Sequence, residues 1–522
     1  MSKFYLLKSA ILASILAVSV AFSGNALAQK SKDTLRIAFT DPISKVDLVF
    51  DPKPEIALTA RIVYDGLVFF DDFTGKFYPL LAKSWKRISP TVMEFDLRDD
   101  VKFHDGSEFD ADDVVYTINW LINPKTRIRF KTNYIWISKV EKLSKYKVRI
   151  STKRPSAVGL MRLAKSILIY PSDTHSKLKS KATFGRHPIG TGPLKVTQVD
   201  PNKGIIMVRN EEYKHGGTWK PKPKIKTIIA KSIPDTQTQM AQLLTGGIDL
   251  MRSVPKDQVD SLKSNPALAA TATTGLLYTY LSMDSVNRSG KKMLSDQRVR
   301  KAISMSFDRL AVARAVLAGG DKVQTLDSMC LRVQKGCDFS TKPPAFDRAG
   351  AKKLLAEAGY PNGFDVNITA LGSAGPIAVA VAGELRKVGI RGKVNPVSFG
   401  VYRKQQRQGK FEILVSLWSS GGLPDASSTL NVFFAKGRKG KWSPRNYWHD
   451  EIINKARIKG GAILDEAKRR AVYKKAYDRV NEKNYIMPIS TLPTSFVHTK
   501  DLVIEQGSLS PYGAALNHMS WK

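Results

Sequence analysis

The stretch that decides the fold is residues 296–319, DQRVRKAISMSFDRLAVARAVLAG. Its apolar residues recur at steps of three and four, which is one face of a helix with 3.6 residues per turn. Asp296 is suited to cap the first turn, and Gly319 is suited to the left-handed position after the last turn. We therefore predict one amphipathic core helix over residues 296–319. The buried face is predicted to comprise Val299, Ala302, Ile303, Phe307, Leu310, Ala313 and Leu317.

Outward from this helix, strand-like runs alternate with helical patterns. Residues 34–40, TLRIAFT, alternate apolar and polar side chains before an Asp-Pro turn, and residues 364–371, FDVNITAL, read as another strand. Asp110 and Asp113 have the spacing of a capping box at the start of a helix. This alternation predicts the α/β class, with mixed sheets and flanking helices.

The N-terminal residues have the organisation of a secretory signal. Lys3 and Lys8 precede an apolar run over residues 10–22, and Ala26-Leu27-Ala28 is a small-residue cleavage pattern. We predict a signal peptide over residues 1–28, removed before Gln29, and hence a periplasmic location.

The charge balance is strongly basic. The chain has 83 Lys and Arg against 46 Asp and Glu, a formal net charge of +37. The excess is spread along the chain and forms no tail, which argues against a nucleic-acid-binding arm. It would favour encounter with anionic ligands or envelope surfaces. A merely solvated basic surface explains it equally well.

The two cysteines, Cys330 and Cys337, lie close together in a loop-like stretch. An oxidising compartment favours a disulfide between them. The small ring would contribute about 2 kcal/mol on a chain-entropy estimate. The alternative is two reduced thiols.

Motifs for catalysis or metal binding are missing from the sequence. It has no G-x-S-x-G, H-E-x-x-H, C-x-x-C or complete phosphate loop, and its seven histidines are widely separated. His104 and Asp105 are interpreted as turn residues, and the Gly-Thr-Gly of residues 190–192 is followed by a strand where a phosphate loop needs a helix. We predict no enzyme activity, no bound metal and no cofactor.

Several strings, in order along the chain, carry a family resemblance. They are FHDGSEFDADDVV at 103–115, PIGTGPL at 188–194, VRKAISMSFDR at 299–309 and DRAGAKKLLAEAGYPNGF at 347–364. Together they resemble the family 5 solute-binding proteins of ABC importers, whose members include carriers of dipeptides and oligopeptides. The resemblance covers essentially the whole chain after residue 28.

This resemblance implies a periplasmic-binding-protein-like fold of class II, cluster C type. Two lobes are joined by a hinge, and the N-terminal lobe carries an extra subdomain. By this resemblance the first lobe comprises residues 29–55, 185–272 and 499–522, the extra subdomain residues 56–184, and the second lobe residues 273–498.

The resemblance also implies a ligand cleft near Trp418. Gly421 stands where the family usually has an Asp that holds a peptide amino group, and Asp425 stands where it has a second acidic residue. The loop at 372–375 lacks the Arg of dipeptide-specific relatives. Either the ligand has different end groups, or Asp425 anchors it from a longer turn. The predicted ligand-binding residues are Thr40, Tyr280, Ser373, Trp418, Ser419, Ser420, Gly421 and Asp425.

The function implied is that of a monomeric periplasmic component that captures a peptide or peptide-like solute. It would deliver the solute to an inner-membrane permease and its ATPase. Three alternatives stay open: a non-peptide cargo (a sugar-phosphate, an opine, a metal chelate or haem), a secreted hydrolase, and an envelope-binding or chaperone-like protein.

Overall fold

The structure is a computed structural model that describes residues 33–71, 74–420, 423–437, 440–443, 446–505 and 515–522. The predicted signal peptide and Gly421 lie outside the described residues. The strands in chain order are β1 (Thr34–Phe39), β2 (Val68–Phe70), β3 (Phe77–Pro79), β4 (Ala82–Ser89), β5 (Val92–Leu97), β6 (Ile137–Ser144), β7 (Lys147–Thr152), β8 (Leu194–Asp200), β9 (Gly204–Arg209), β10 (Thr227–Ser232), β11 (Leu250–Arg252), β12 (Leu268–Thr273), β13 (Leu277–Met283), β14 (Phe364–Leu371), β15 (Ile390–Val397), β16 (Ile413–Ser419), β17 (Ile486–Thr491), β18 (Thr494–Thr499), β19 (Leu502–Val503) and β20 (Ser520–Trp521).

Helices alternate with the strands in many of the connections, so the predicted α/β class with mixed sheets is confirmed. The described residues contain no helix with the length and apolar character needed to cross a bilayer. In chain order the helices are α1 (Pro54–Val63), α2 (Ala111–Ile122), α3 (Gly159–Lys165), α4 (Ser172–Lys177), α5 (Thr236–Leu244), α6 (Lys256–Leu262), α7 (Gln297–Met305), α8 (Arg309–Val316), α9 (Arg348–Glu357), α10 (Gly375–Arg386), α11 (Phe399–Gln408), α12 (Ser427–Phe433), α13 (Glu451–Ala462) and α14 (Glu466–Glu482).

Two separate sheets organise the chain. The first has seven strands in the order β12-β18-β11-β1-β10-β9-β8, and the second has five in the order β15-β14-β16-β13-β17. In the first sheet β1 runs parallel to β10 and β11. In the second, β14 runs parallel to β15 and β16. Each sheet is therefore mixed, with the parallel strands at the centre of the first sheet and on one side of the second.

The chain passes between the two sheets at two short connections. One joins β12 to β13 through residues 274–276, and the other joins β17 to β18 through residues 492–493. Strand β18 pairs with β11 and β12, so residues 494–498 belong to the first sheet and not, as predicted, to the second lobe. The residues of this strand do not reveal its partner, because both sheets accept the same kind of strand.

A third sheet, antiparallel and in the order β4-β5-β7-β6, lies within the segment predicted as the extra subdomain. Its inner face is covered by α2, whose buried Ile118 belongs to one apolar core together with Phe95 of β5 and Ile37 of β1. The side chain of Asp110 accepts a hydrogen bond from the amide of Asp112, in the capping box predicted with Asp113. The segment thus shares its core with the first sheet.

The opening stretch, predicted as one helix over residues 296–319, forms two helices. The first, α7, ends at Met305, and α8 begins at Arg309. Asp308 causes the break, because its carboxylate accepts hydrogen bonds from the amides of Leu310 and Ala311 and so caps a new helix. The apolar face continues across the break, which is why its period did not reveal it.

The glycines of PIGTGPL allow close backbone contact. Neither Gly190 nor Gly192 has a positive φ, so their backbone angles do not require glycine. A Cβ atom at Gly190 would lie 2.1 Å from the carbonyl oxygen of Val63, and one at Gly192 would lie 2.0 Å from that of Ile62. The two positions therefore need glycine because the segment lies directly against the end of α1.

His175 lies in a closed aromatic cluster. It has an exposed fraction of 0 %, its ring stacks on Tyr170 at 4.8 Å, and its Nδ1 lies 2.6 Å from the hydroxyl of Tyr116. Burial lowers the pKa of His175 to about 4, and the charge of Lys181 adds to this effect. The unfolded chain, whose histidine pKa is near 6.5, therefore binds the proton first as the pH falls.

We expect His175 alone to cost about 2 kcal/mol of stability between pH 7.5 and pH 5, because the folded state resists protonation over this range. Urea unfolding at both pH values should show that His175→Phe removes this part of the pH dependence. The same substitution at the exposed His187 should leave it unchanged. An equal pH dependence in wild type and His175→Phe would contradict the assignment. Asp47, whose pKa burial raises to about 6, changes stability with pH in the opposite direction. Its contribution is the same in wild type and His175→Phe, so it cancels in this comparison.

Candidate functional site

Three neighbouring strands of the second sheet end at one edge. Because β14, β15 and β16 are parallel, their carboxyl ends at Leu371, Val397 and Ser419 lie together. Leu277, the first residue of β13, pairs with Ser419, so the connection from the first sheet enters at this same edge. Ligands of α/β proteins commonly bind outside such carboxyl ends.

The first sheet presents a matching edge. Strand β1 ends at Phe39 beside Ser232, the last residue of the parallel strand β10. Thr273, where the chain leaves the sheet, pairs with Thr494, where the chain returns. Both connections are short, so the carboxyl-end edges of the two sheets lie on either side of them. The space between these edges is the candidate site.

We call the first sheet, with the antiparallel sheet that shares its core, the first unit, and the second sheet, with the helices and loops packed on it, the second unit. The two units touch beside these connections in an apolar group that we call the interlobe cluster. Phe70 and Met161 of the first unit pack there with Leu276 of the first connection. Lys335 of the second unit adds a polar contact, with its Nζ 4.9 Å from the centre of the Phe77 ring. The remaining members are Phe77, Ala164, Leu331 and Leu423. The units are therefore in contact around the candidate site.

Trp418 lies next to the last residue of β16, at the edge just described. Its ring is partly buried and meets Phe433 edge to face at 5.1 Å. Its Nε1 is buried and has no hydrogen-bond partner. The partly buried indole ring therefore offers an aromatic surface at this edge.

Ser419 and Ser420, the two residues after Trp418, continue the same edge of the second sheet. Ser419 pairs with Leu277, and Ser420 is 4 % exposed. The Nε2 of Gln334 donates a hydrogen bond of 2.7 Å to the hydroxyl of Ser420. The sequence interpretation missed Gln334, although its place between the two cysteines marks a segment with a fixed shape.

Asp425 is 2 % exposed and already has charged and polar partners. Its Oδ1 accepts a hydrogen bond from Nη2 of Arg469 and one of 2.8 Å from the amide of Ser427. Burial would lower the pKa of Arg469, but Asp425 outweighs this and raises it above the usual range. Asp425 in this structure anchors a turn, whereas the sequence interpretation offered it as a candidate anchor for a ligand.

The other three predicted residues occupy different environments. Thr40 and Ser373 are exposed and follow β1 and β14, on the facing edges of the two sheets. Tyr280 is 1 % exposed and packs at 5.5 Å against Phe433 within the core of the second unit. Tyr280 therefore lies in the interior, because it points to the same strand face as Tyr278, which the helices cover.

Arg162 of α3 is a cation of the first unit that faces the second unit. The sequence interpretation did not identify it. Its Nη1 donates to the carbonyl of Thr132, but its Nε is buried and has no partner. Burial lowers the pKa of Arg162, and the charge of Asp425 in the other unit opposes that shift. The two side chains therefore interact electrostatically across the junction.

The disulfide predicted between Cys330 and Cys337 is present. His104 shapes a turn as predicted, since its Nε2 lies 2.9 Å from the carbonyl oxygen of Gly192. Among the described residues, no group of three or more His, Cys, Asp or Glu could hold a metal ion.

The sequence matches a family model. The description of that model is bacterial extracellular solute-binding proteins, family 5 middle, and it matches residues 76–441. The chain is also similar to the glutathione-binding protein of Pectobacterium atrosepticum, with 26 % identity over 452 residues and 83 % of each chain covered. It is similar to heme-binding protein A of Haemophilus influenzae, with 26 % identity over 501 residues and 88 % of each covered.

A solved structure shows the same fold. The periplasmic binding protein DppA from Helicobacter pylori, in complex with the peptide STSA, superimposes with a TM-score of 0.76 at 24 % identity. The alignment covers 94 % of this chain and 98 % of that chain. The predicted class II periplasmic-binding-protein-like fold is thus confirmed.

Proposed function

The chain belongs to the bacterial extracellular solute-binding proteins of family 5, which serve ABC importers, and we propose that its solute is a peptide or a peptide-like molecule. The solute would be held between the facing edges of the two sheets. A membrane permease and its ATPase would receive it unchanged, and the protein would act as a monomer without catalysis.

The observation that carries this proposal is the position of Trp418 and the following segment. They lie at the carboxyl-end edge of the second sheet, beside both connections and the interlobe cluster. A solute there contacts both units, and only such a solute can bias closure of one unit over the other. Thr40 and Ser373, on opposite edges, are proposed to contribute from each side.

The cargo can be identified from the protein itself. Mass spectrometry of gently purified protein should reveal a bound small molecule, and calorimetry with the tetrapeptide Ser-Thr-Ser-Ala, glutathione and haem should rank the classes. A peptide or glutathione as the tightest ligand supports the proposal. Tight binding of haem alone would replace the cargo class while keeping the binding role. Recovery of cleaved peptide would instead indicate a hydrolase.

Trp418→Ala should weaken binding of the preferred probe about tenfold, or about 1.4 kcal/mol, because the solute loses an aromatic surface. Trp442→Ala is the matched control, since that ring stacks on His449 and belongs to none of the strands or connections that border the candidate site. Unchanged affinity in Trp418→Ala would place the solute elsewhere.

The proposed periplasmic location has its own test. N-terminal sequencing of protein from a periplasmic extract should begin at Gln29 if residues 1–28 are a cleaved signal. A mature chain that retains residues 1–28 would contradict the proposal.

A further inference from the structure

A loop closed by the disulfide lies against the proposed solute site. Cys330 and Cys337 are seven residues apart in sequence, and both are buried. Within the loop, the side-chain Oε1 of Gln334 accepts a 2.8 Å hydrogen bond from the amide of Leu331. The covalent link and this hydrogen bond give the loop a fixed shape.

Gln334 connects this loop to the segment that follows Trp418. The side chain has an exposed fraction of 0 %. Its Nε2 donates 2.7 Å to the hydroxyl of Ser420 and 3.4 Å to the carbonyl oxygen of Asp425. One buried amide thus bonds to both Ser420 and Asp425. A buried group of this kind is costly to leave unpaired, so Gln334 holds these two residues in place.

Backbone contacts reinforce the same connection. The amide of Lys335 donates to the carbonyl of Pro424 at 3.4 Å, and its own carbonyl accepts from the amide of Ala426 at 2.9 Å. The loop and the turn therefore form a short parallel bridge around Asp425. A shift of the loop would move the turn with it.

The same loop also reaches the opposite unit. Leu331 packs in the interlobe cluster with Phe70 and Met161. The exposed side chain of Lys335 lies with its Nζ 4.9 Å from the centre of the Phe77 ring. These contacts exist only when the two units are together, so the loop touches both the turn of the solute site and the surface that closes over it.

We propose that the disulfide loop over residues 330–337 is a wall of the solute site, with Gln334 as its positioning residue. Gln334 fixes Ser420 and Asp425, Lys335 contacts the opposite unit on closure, and the disulfide keeps both in place. Solute affinity therefore depends on the redox state of the cysteines. The inference rests on the proposed function, because it assigns the loop to that same site.

The test compares Gln334→Leu and Lys335→Ala with Val333→Ala, a control in the same ring whose side chain is 51 % exposed. Calorimetry and stopped-flow use the tetrapeptide Ser-Thr-Ser-Ala, glutathione and haem. Gln334→Leu should weaken the best probe at least tenfold, and Lys335→Ala should speed its dissociation about threefold. Val333→Ala should match wild type. The melting temperature without solute should stay within a few degrees, which separates positioning from a general loss of stability.

Reduction provides an independent arm of the test. Wild-type protein reduced with a phosphine should lose affinity as Gln334→Leu does, and reoxidation should restore it. Wild-type affinity in both Gln334→Leu and reduced protein would overturn the inference. If Gln334→Leu does not fold, the exposed Lys335→Ala and the reduction arm decide.

A readout without solute separates this inference from the proposed function. Hydrogen exchange at the amide of Ala426, which bonds to Lys335, should speed up on reduction and in Gln334→Leu but not in Val333→Ala. Failure of wild type to bind any probe would count against the proposed function, while this exchange would still report on the loop. Unchanged exchange would overturn the positioning role by itself.

Discussion

Replacing Lys220 by methionine is expected to lower the free energy of unfolding by about 3–5 kcal/mol, because it leaves a buried carboxylate without its counter-ion. Asp65 has an exposed fraction of 0 %, and its Oδ1 accepts a hydrogen bond from the Nζ of Lys220, whose side chain is 5 % exposed. The Nε2 of His215 and the hydroxyl of Thr191 lie 2.8 Å and 2.9 Å from Oδ2. Three distant parts of the chain therefore meet at one carboxylate.

The pKa of Asp65 shows how strongly this arrangement favours the charged form. Burial alone would raise the pKa, but Lys220 and His215 outweigh it and lower it far below the usual range. Since the folded pKa lies below the unfolded one, the stability from Asp65 is complete above about pH 4 and is lost as the pH falls further. At neutral pH the full effect of Lys220→Met should be visible.

Urea unfolding at pH 7.5 measures the change, and a double-mutant cycle with Asp65→Asn isolates the pair. The double variant should be more stable than Lys220→Met, since no buried charge is left alone. Lys222→Met is the control, because its partner Glu211 lies 3.4 Å away at the surface. The control should change stability by about 1 kcal/mol or less. An equally small change in Lys220→Met would contradict the argument.

This carboxylate also shows where sequence interpretation reaches its limit. The family-like string around Thr191 was visible, but nothing local in it indicates that Asp65 binds both Thr191 and Lys220. Local signals were sufficient where the cause is local, as in the capping box of Asp110 and Asp113. They failed at residues 306–308, where the cap at Asp308 competes with a continuing apolar period.

The candidate site likewise contains residues whose positions the sequence indicates and residues whose positions depend on tertiary contacts. The position of Trp418 at a strand end followed from a string of residues, and the strand end is where the structure places it. Tyr280 was predicted in the cleft from its strand alone, but the face it occupies depends on helices that come much later in the chain. Gln334 and Arg162 reach the site through tertiary contacts, which no periodicity encodes.

Asp425→Ala is expected to cost about 3–5 kcal/mol of stability, because it strands the buried guanidinium of Arg469. Both side chains are almost fully buried, at 3 % and 2 % exposed. Beyond this pair, Arg469 has Glu466 at 3.6 Å, and its guanidinium lies 5.0 Å over the ring of Tyr473. The Glu466 carboxylate is more distant and half exposed, and the Tyr473 ring carries no charge, so neither replaces the buried carboxylate of Asp425. Asp321→Ala is the control, since that carboxylate is 83 % exposed and pairs with Lys322 at the surface.

The same variant distinguishes two roles for Asp425. If its carboxylate holds an amino group of the solute, Asp425→Ala lowers the affinity for the solute. The double variant, with Asp425→Ala and Arg469→Leu, then lowers this affinity to the same extent. If it anchors its own turn through the amide of Ser427, the double variant regains more than half of the lost stability, and affinity recovers with it. Urea unfolding and calorimetry on both variants measure the two quantities separately. The contacts of Asp425 favour the second outcome, because its Oδ1 is already shared between Arg469 and the amide of Ser427. A solute amine would have to compete with a bidentate-capable cation that is already desolvated, and that competition is unfavourable.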